Sequence, residues 1–131
     1  YDSYTARKTG HTSTASARRG ASSLPSAGVF NLLVEAGSDK LASMLSSVPQ
    51  ALVITRGLGR GINVITGEYS RGANGLWVEG GEIVHPVQEI TIAGDVREML
   101  QRIDAVGDDL TMRGSSGAPS IRIQDMTVSG A

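Results

Sequence analysis

The pair Gly80-Gly81, set between "LWVE" and "EIV", is the feature that most limits what this chain can become. Two glycines accept positive φ without a Cβ penalty, which is what a two-residue hairpin turn demands. Residues alternate before the pair, so Leu76 and Val78 share one face of a strand and Trp77 and Glu79 the other. Downstream, Pro86 biases His85 towards extended backbone. "VQEITIAG" (87–94) then alternates again, with Gln88, Ile90 and Ile92 on one side. An antiparallel hairpin is therefore the centre of the expected fold.

Further elements follow from local patterns. "VFNLLVEAG" contains Val29, Phe30, Leu32, Leu33 and Val34 and predicts a buried strand. "SDKLASMLSSV" predicts a helix with Ser38 as N-cap and an apolar stripe of Leu41, Met44, Leu45 and Val48, ended by Pro49. "ALVIT" (51–55) and "INVIT" (62–66) read as strands, with "RGLGRG" as a flexible loop between them and "GEYSRGANG" as a turn region after. "DVREMLQRIDAVG" predicts a second helix, with Asp95 and Glu98 as a capping box and Gly107 as its stop. "APSIRIQDMTVSG" predicts one or two strands with Ile121 and Ile123 inward and Arg122 outward. The sum is an α+β fold: a mainly antiparallel β-sheet with two short helices.

Only 4% of the 131 residues are aromatic, so Val, Ile, Leu, Ala and Met must build the core. No cysteine is present, which excludes disulfides and thiolate metal sites. No apolar run approaches the roughly 20 residues of a membrane-spanning helix. The chain starts at Tyr1 rather than Met and is expected to be part of something longer. Residues 1–28, rich in Ser, Thr, Ala and Gly, are expected to be a linker or loop segment ordered by the rest of the protein, leaving 29–131 as the β-rich domain. Residues 1–20 hold four basic side chains, Arg7, Lys8, Arg18 and Arg19, against one acid, a net of +3; the remainder is net −4. Such a head could meet nucleic acid, but it is not densely basic and lacks interleaved aromatics.

Site chemistry is sparse. "GLGRG" places glycines at 57, 59 and 61, but β-prone residues follow instead of the helix N-terminus that a phosphate loop needs. His11 and His85 match no metal-ligand spacing. Glu79, Glu82 and Glu89 beside the hairpin, and Asp108-Asp109, fit solvated edge and turn positions. No Gly-x-Ser-x-Gly elbow exists. Ser70 and Arg71 are the candidate binding residues, since a guanidinium on a glycine-rich turn can hold a peptide carboxylate or carbonyl, or a nearby Asp or Glu. No catalytic and no metal-binding residue is assigned.

Three collinear stretches carry a resemblance: "DSYTARK", the block from Gly61 to Leu110, and "PSIRIQDMTVSG". Together they resemble the C-terminal portion of the TldD/PmbA family of peptide-processing proteins, also known as modulators of DNA gyrase. TldD-like members carry an HExxxH zinc helix and a C-terminal cysteine ligand. The loop that would hold that cysteine is here "TMRGSSGAP", and "SRGANGLWVEGGEI" resembles the PmbA-type pattern "SRGASGFWIENGEI". The resemblance thus implies the PmbA/TldE branch, a subunit without zinc of a cytoplasmic metalloprotease that processes unfolded or leader peptides. It also implies zinc on a TldD-like partner subunit, or a homo-oligomer. A non-proteolytic module contacting DNA gyrase or nucleic acid through the basic head is the competing expectation.

Overall fold

The computed structural model describes residues 1–130. Two compact units emerge: Tyr1–Val34 with Thr111–Ala118, and Glu35–Leu110 with Pro119 onward.

The first unit begins with helix α1 (Ser3–Thr9), where a loop was expected. Asp2 caps it, its carboxylate accepting from the Tyr4 and Thr5 amides at 2.9 and 2.8 Å. Gly10 ends it in the left-handed region. Strands β1 (Ala17–Arg18) and β2 (Ser26–Ala27) pair antiparallel. The apolar run at 29–34 contributes only β3 (Leu32–Leu33). Its backbone pairs with a short strand at Ser116–Ala118, itself paired with Thr111–Arg113. The expectation of a buried strand is corrected: Leu32 and Leu33 are 56% and 54% exposed. The run is satisfied through main-chain hydrogen bonds rather than side-chain burial.

The second unit is built on the hairpin. Helix α2 (Leu41–Ser46) comes first and buries Met44. Ser38 is not its cap; Lys40 holds that position, and Asp39 instead bridges to Gly107. Strands β4 (Gln50–Leu58), β5 (Glu68–Glu79) and β6 (Glu82–Asp95) follow. Gly80 and Gly81, at φ 57° and 90°, form the turn, with Glu79 opposite Glu82. Helix α3 (Val96–Gln101) leaves β6 through the expected Asp95 cap, which accepts from the Arg97 amide at 2.8 Å. Glu98 does not complete the box; it pairs with Arg102 at 3.1 Å.

That helix is half as long as its pattern suggested. The segment "IDAV" becomes strand β7 (Ile103–Val106), because β-branched Ile103 and Val106 find a partner. The two strands named above are β8 (Thr111–Arg113) and β9 (Ser116–Ala118). The partner of β7 is β10 (Ile121–Ile123), and β11 (Thr127–Ser129) adds to β6, giving a four-stranded order β11-β6-β5-β4. Ala73, Val78 and Ile90 are buried on this antiparallel sheet. Among the described residues there are three short helices, one more than expected.

Two further expectations are corrected. "INVIT" is not a strand: the Asn63 side chain accepts from the Ile65 and Thr66 amides, which folds the segment into a turn and leaves Val64 and Ile65 83% and 92% exposed. Arg122 does not point outward. Its Nε and Nη2 donate to the two Asp104 oxygens at 2.8 and 2.7 Å, and its Nη1 reaches the Met44 carbonyl and Ser47 Oγ at the end of α2. The inward-facing guanidinium ties β7, β10 and α2 together.

The Arg122 hydrogen bonds, helped by Gln124, lower the Asp104 carboxyl from 3.8 to about 2. A carboxyl lowered by folding contributes its stabilisation fully above roughly pH 4 and loses it as pH falls towards 2. Asp104→Asn should therefore cost about 1–2 kcal/mol at neutral pH and flatten the fall of the urea midpoint between those two pH values. An unchanged acid dependence would contradict this role of Asp104.

Candidate functional site

Ser70 and Arg71 lie within strand β5, not on a turn. Their segment looked like loop because it carries glycines and no large apolar residue. It is nevertheless paired on both sides, with Arg71 opposite Ile92 of β6 and Gly72 between Leu58 of β4 and Thr91 of β6. The bulges beside Asn74 are stitched by side chains. The Asn74 Oδ1 accepts from the Glu89 amide at 3.0 Å, and Thr55 donates to the Asn74 carbonyl at 3.2 Å. Glu89 takes φ +55° at this point, which breaks the alternation expected along β6.

The glycines of "GLGRG" gain a purpose here. The strand part of the segment runs to Leu58, so the expected flexible loop is shorter, and the chain then turns back along β5. The Ser70 amide donates to the Gly61 carbonyl at 2.8 Å, and Ile62 bridges Tyr69. This places Gly57 and Gly61 under the Arg71 side chain. A Cβ at Gly61 would lie 2.6 Å from the Arg71 Cβ, and one at Gly57 would lie 2.5 Å from its Cζ. Arg71 thus lies in a trench that exists because those positions lack side chains.

Arg71 Nε is sealed from solvent and, among the described residues, has no hydrogen-bond acceptor. The two carboxylates at this end of the β5–β6 ladder are otherwise engaged: Glu68 accepts from Thr66 Oγ1 at 3.1 Å, and Asp95 binds Arg97 at 2.7 Å. Arg97 holds the Asp95 carboxyl down to about 2. Beside the trench is an open depression of about 620 Å³ that includes Arg60, Gly61, Glu68 and Ser70 in its lining. A second groove, about 660 Å³, runs between Gln50–Ile54 of β4, α2 and the segment Pro119–Asp125.

The remaining candidates sit apart from this trench. Glu79 accepts from Trp77 Nε1 at 2.9 Å at the hairpin end. Asp109 accepts from the Ser120 amide and hydroxyl at 2.7 and 2.6 Å, contacts that lower its pKa and fix a turn. His11 stacks on Tyr1 at 4.9 Å in the first unit, whereas His85 lies in β6 opposite Trp77 in the second. No three His, Cys, Asp or Glu side chains converge among the described residues. The donor set does not fit a zinc ion.

The family model for the PmbA/TldA metallopeptidase C-terminal domain matches residues 1–130. This chain belongs to that family. It is 40% identical to the metalloprotease PmbA homologue of Haemophilus influenzae over 98% of its length, covering 27% of that relative. Identity to a metalloprotease TldD homologue of Buchnera aphidicola is lower, 27% over 98% of the chain and 30% of the relative. The PmbA/TldE branch read from "SRGANGLWVEGGEI" is thereby supported. Among solved structures, a Thermotoga maritima protein described as a candidate modulator of DNA gyrase superposes with a TM-score of 0.81 at 33% identity, over 98% of this chain and 29% of that one. TldE from Thermococcus kodakarensis shares the fold with a TM-score of 0.84 at 23% identity, over 98% and 30% of the two chains. The chain spans about a quarter of the length of the PmbA relatives it matches.

The trench was invisible to sequence reasoning because Gly57 and Gly61 act on a residue ten or more positions away. Its one local trace is the glycine spacing itself. The two glycines should differ when replaced. Gly61→Ala meets a Cβ that cannot yield and should cost about 1–3 kcal/mol, whereas Gly57→Ala meets the movable guanidinium end and should cost less than about 1 kcal/mol. Thermal unfolding of the two variants tests this; equal losses would mean that Arg71 is not seated as described.

Proposed function

We propose that this chain is the C-terminal part of a subunit without zinc in a TldD/TldE-type metalloprotease, acting on unfolded or leader peptides. Family membership on the PmbA side supports the protease setting. The observation that carries the division of labour is the higher identity to a PmbA relative, 40%, than to a TldD relative, 27%; no three candidate metal ligands converge among the described residues. On this reading zinc is held by a TldD-like partner bearing HExxxH, and the complex is cytoplasmic. This chain supplies scaffold and docking surface, with Ser70 and Arg71 as the contacts to substrate.

Two features suit an extended, sequence-independent substrate. Strand β4 pairs only with β5 among the described strands, so its outer edge can add another strand through main-chain hydrogen bonds. The groove along Gln50–Ile54 gives such a segment room. Exposed apolar side chains, among them Ile62, Val64, Ile65, Ile83 and Val84, also fit a surface that meets further protein. No helix among the described residues is long and apolar enough to cross a membrane.

The gyrase or nucleic-acid reading draws on the names of solved-structure neighbours described as modulators of DNA gyrase. Arg7 donates to the Ser3 carbonyl, Lys8 stands 5.6 Å over the Tyr4 ring, and Arg18 donates to the Val29 carbonyl and lies 5.3 Å over Phe30. These contacts orient three of the four basic side chains of the head within their own unit, and all four remain exposed.

Mixing the full-length protein with an HExxxH-bearing family subunit should yield a complex that cleaves an unfolded peptide, with neither subunit active alone. No association and no gain of cleavage would remove this reading.

A further inference from the structure

The trench under Arg71 has a consequence beyond subunit assignment. An arginine on a β-sheet usually swings its guanidinium into water or onto a nearby carboxylate. Arg71 does neither. Its stem lies against Gly61 and its guanidinium against Gly57, and its Nε is sealed without an acceptor. Arg71 as a whole is only half-buried, so part of its side chain remains in contact with solvent. Arg56 and Arg60 flank Gly57 and Gly61 in sequence and are exposed, adding positive potential. Glu68 and Asp95 are held by Thr66 and Arg97. The cation is therefore positioned, partly desolvated and unpaired among the described residues.

We propose that Arg71 is a carboxylate seat, with Gly57 and Gly61 as positioning residues that lay its guanidinium flat and present the Nη groups to a carboxylate of a bound extended polypeptide. The carboxylate is either the peptide's C-terminus or an Asp or Glu side chain. A planar carboxylate matches the Nη edge of the guanidinium, and a charge-assisted pair there gives this cation the partner it lacks among the described residues. Only the peptide source of the ligand rests on the docking role proposed above; the seat itself does not.

The seat is tested first with acetate alone on the full-length protein, followed by the amide resonances of Gly57, Gly61 and Gly72. Acetate should give a saturable shift that chloride does not reproduce, weakened in Arg71→Lys and lost in Arg71→Gln and Gly57→Ala, with thermal unfolding confirming that each variant is folded. No shift, or an equal response to chloride, overturns the seat whether or not the complex cleaves peptides. Binding of three peptides to the complex then identifies the source: one without acidic residues as free acid, the same peptide as amide, and the amide with one internal Glu. Preference for the free acid by about tenfold assigns the terminus, and a like preference for the Glu-bearing amide assigns the side chain. Equal binding of all three, or a preference that survives Arg71→Gln, overturns the assignment to a peptide.

Discussion

The β5–β6 ladder is the constraint on which the second unit depends. It runs from the pair Glu68–Asp95 to the pair Glu79–Glu82, and its closure requires two consecutive residues at positive φ. Gly80 and Gly81 meet that requirement at no steric cost. Once the ladder is set, β4 and β11 have edges to join, Asp95 is delivered to cap α3, and Arg71 is fixed above the glycines of β4 and its following turn. A shift by one residue would put the buried Ala73, Val78 and Ile90 on the wrong face.

Around that ladder, polar side chains do much of the positioning. Arg122 joins β10 to β7 and to the end of α2, and Asn74 pins the irregularities on either side of it, against Thr55 of β4 and Glu89 of β6. Few side chains are fully buried, and many large apolar groups remain exposed. Such a surface is consistent with a domain that is completed by other protein. Arg71 contrasts with Arg122. One cation is matched by a carboxylate, a carbonyl and a hydroxyl, and the other lies against two glycines with its Nε lacking an acceptor among the described residues.

What could be read from the sequence was local. The Gly80-Gly81 turn, the extended His85-Pro86 step, the Asp95 cap and the antiparallel α+β class all follow from short-range rules. The misreadings share a cause in longer-range pairing. "GEYSRGANG" resembles loop because glycine has poor strand propensity, yet neighbours on both sides hold it extended. "IDAV" continues a helical stripe, yet pairing with β10 makes it a strand. Arg122 sits at an outward position by alternation, but Asp104 and the α2 carboxyl end draw it in. At the candidate site Ser70 and Arg71 stand out in the sequence, whereas the trench does not, because its floor and its cation come from separate segments.

The account turns on where the catalytic ion resides. Anomalous scattering at the zinc edge, from crystals of the full-length protein with the HExxxH-bearing subunit proposed as its partner, locates it directly. The account predicts a peak coordinated by the partner subunit alone. A peak whose ligands come from residues 1–130 of this chain would contradict it.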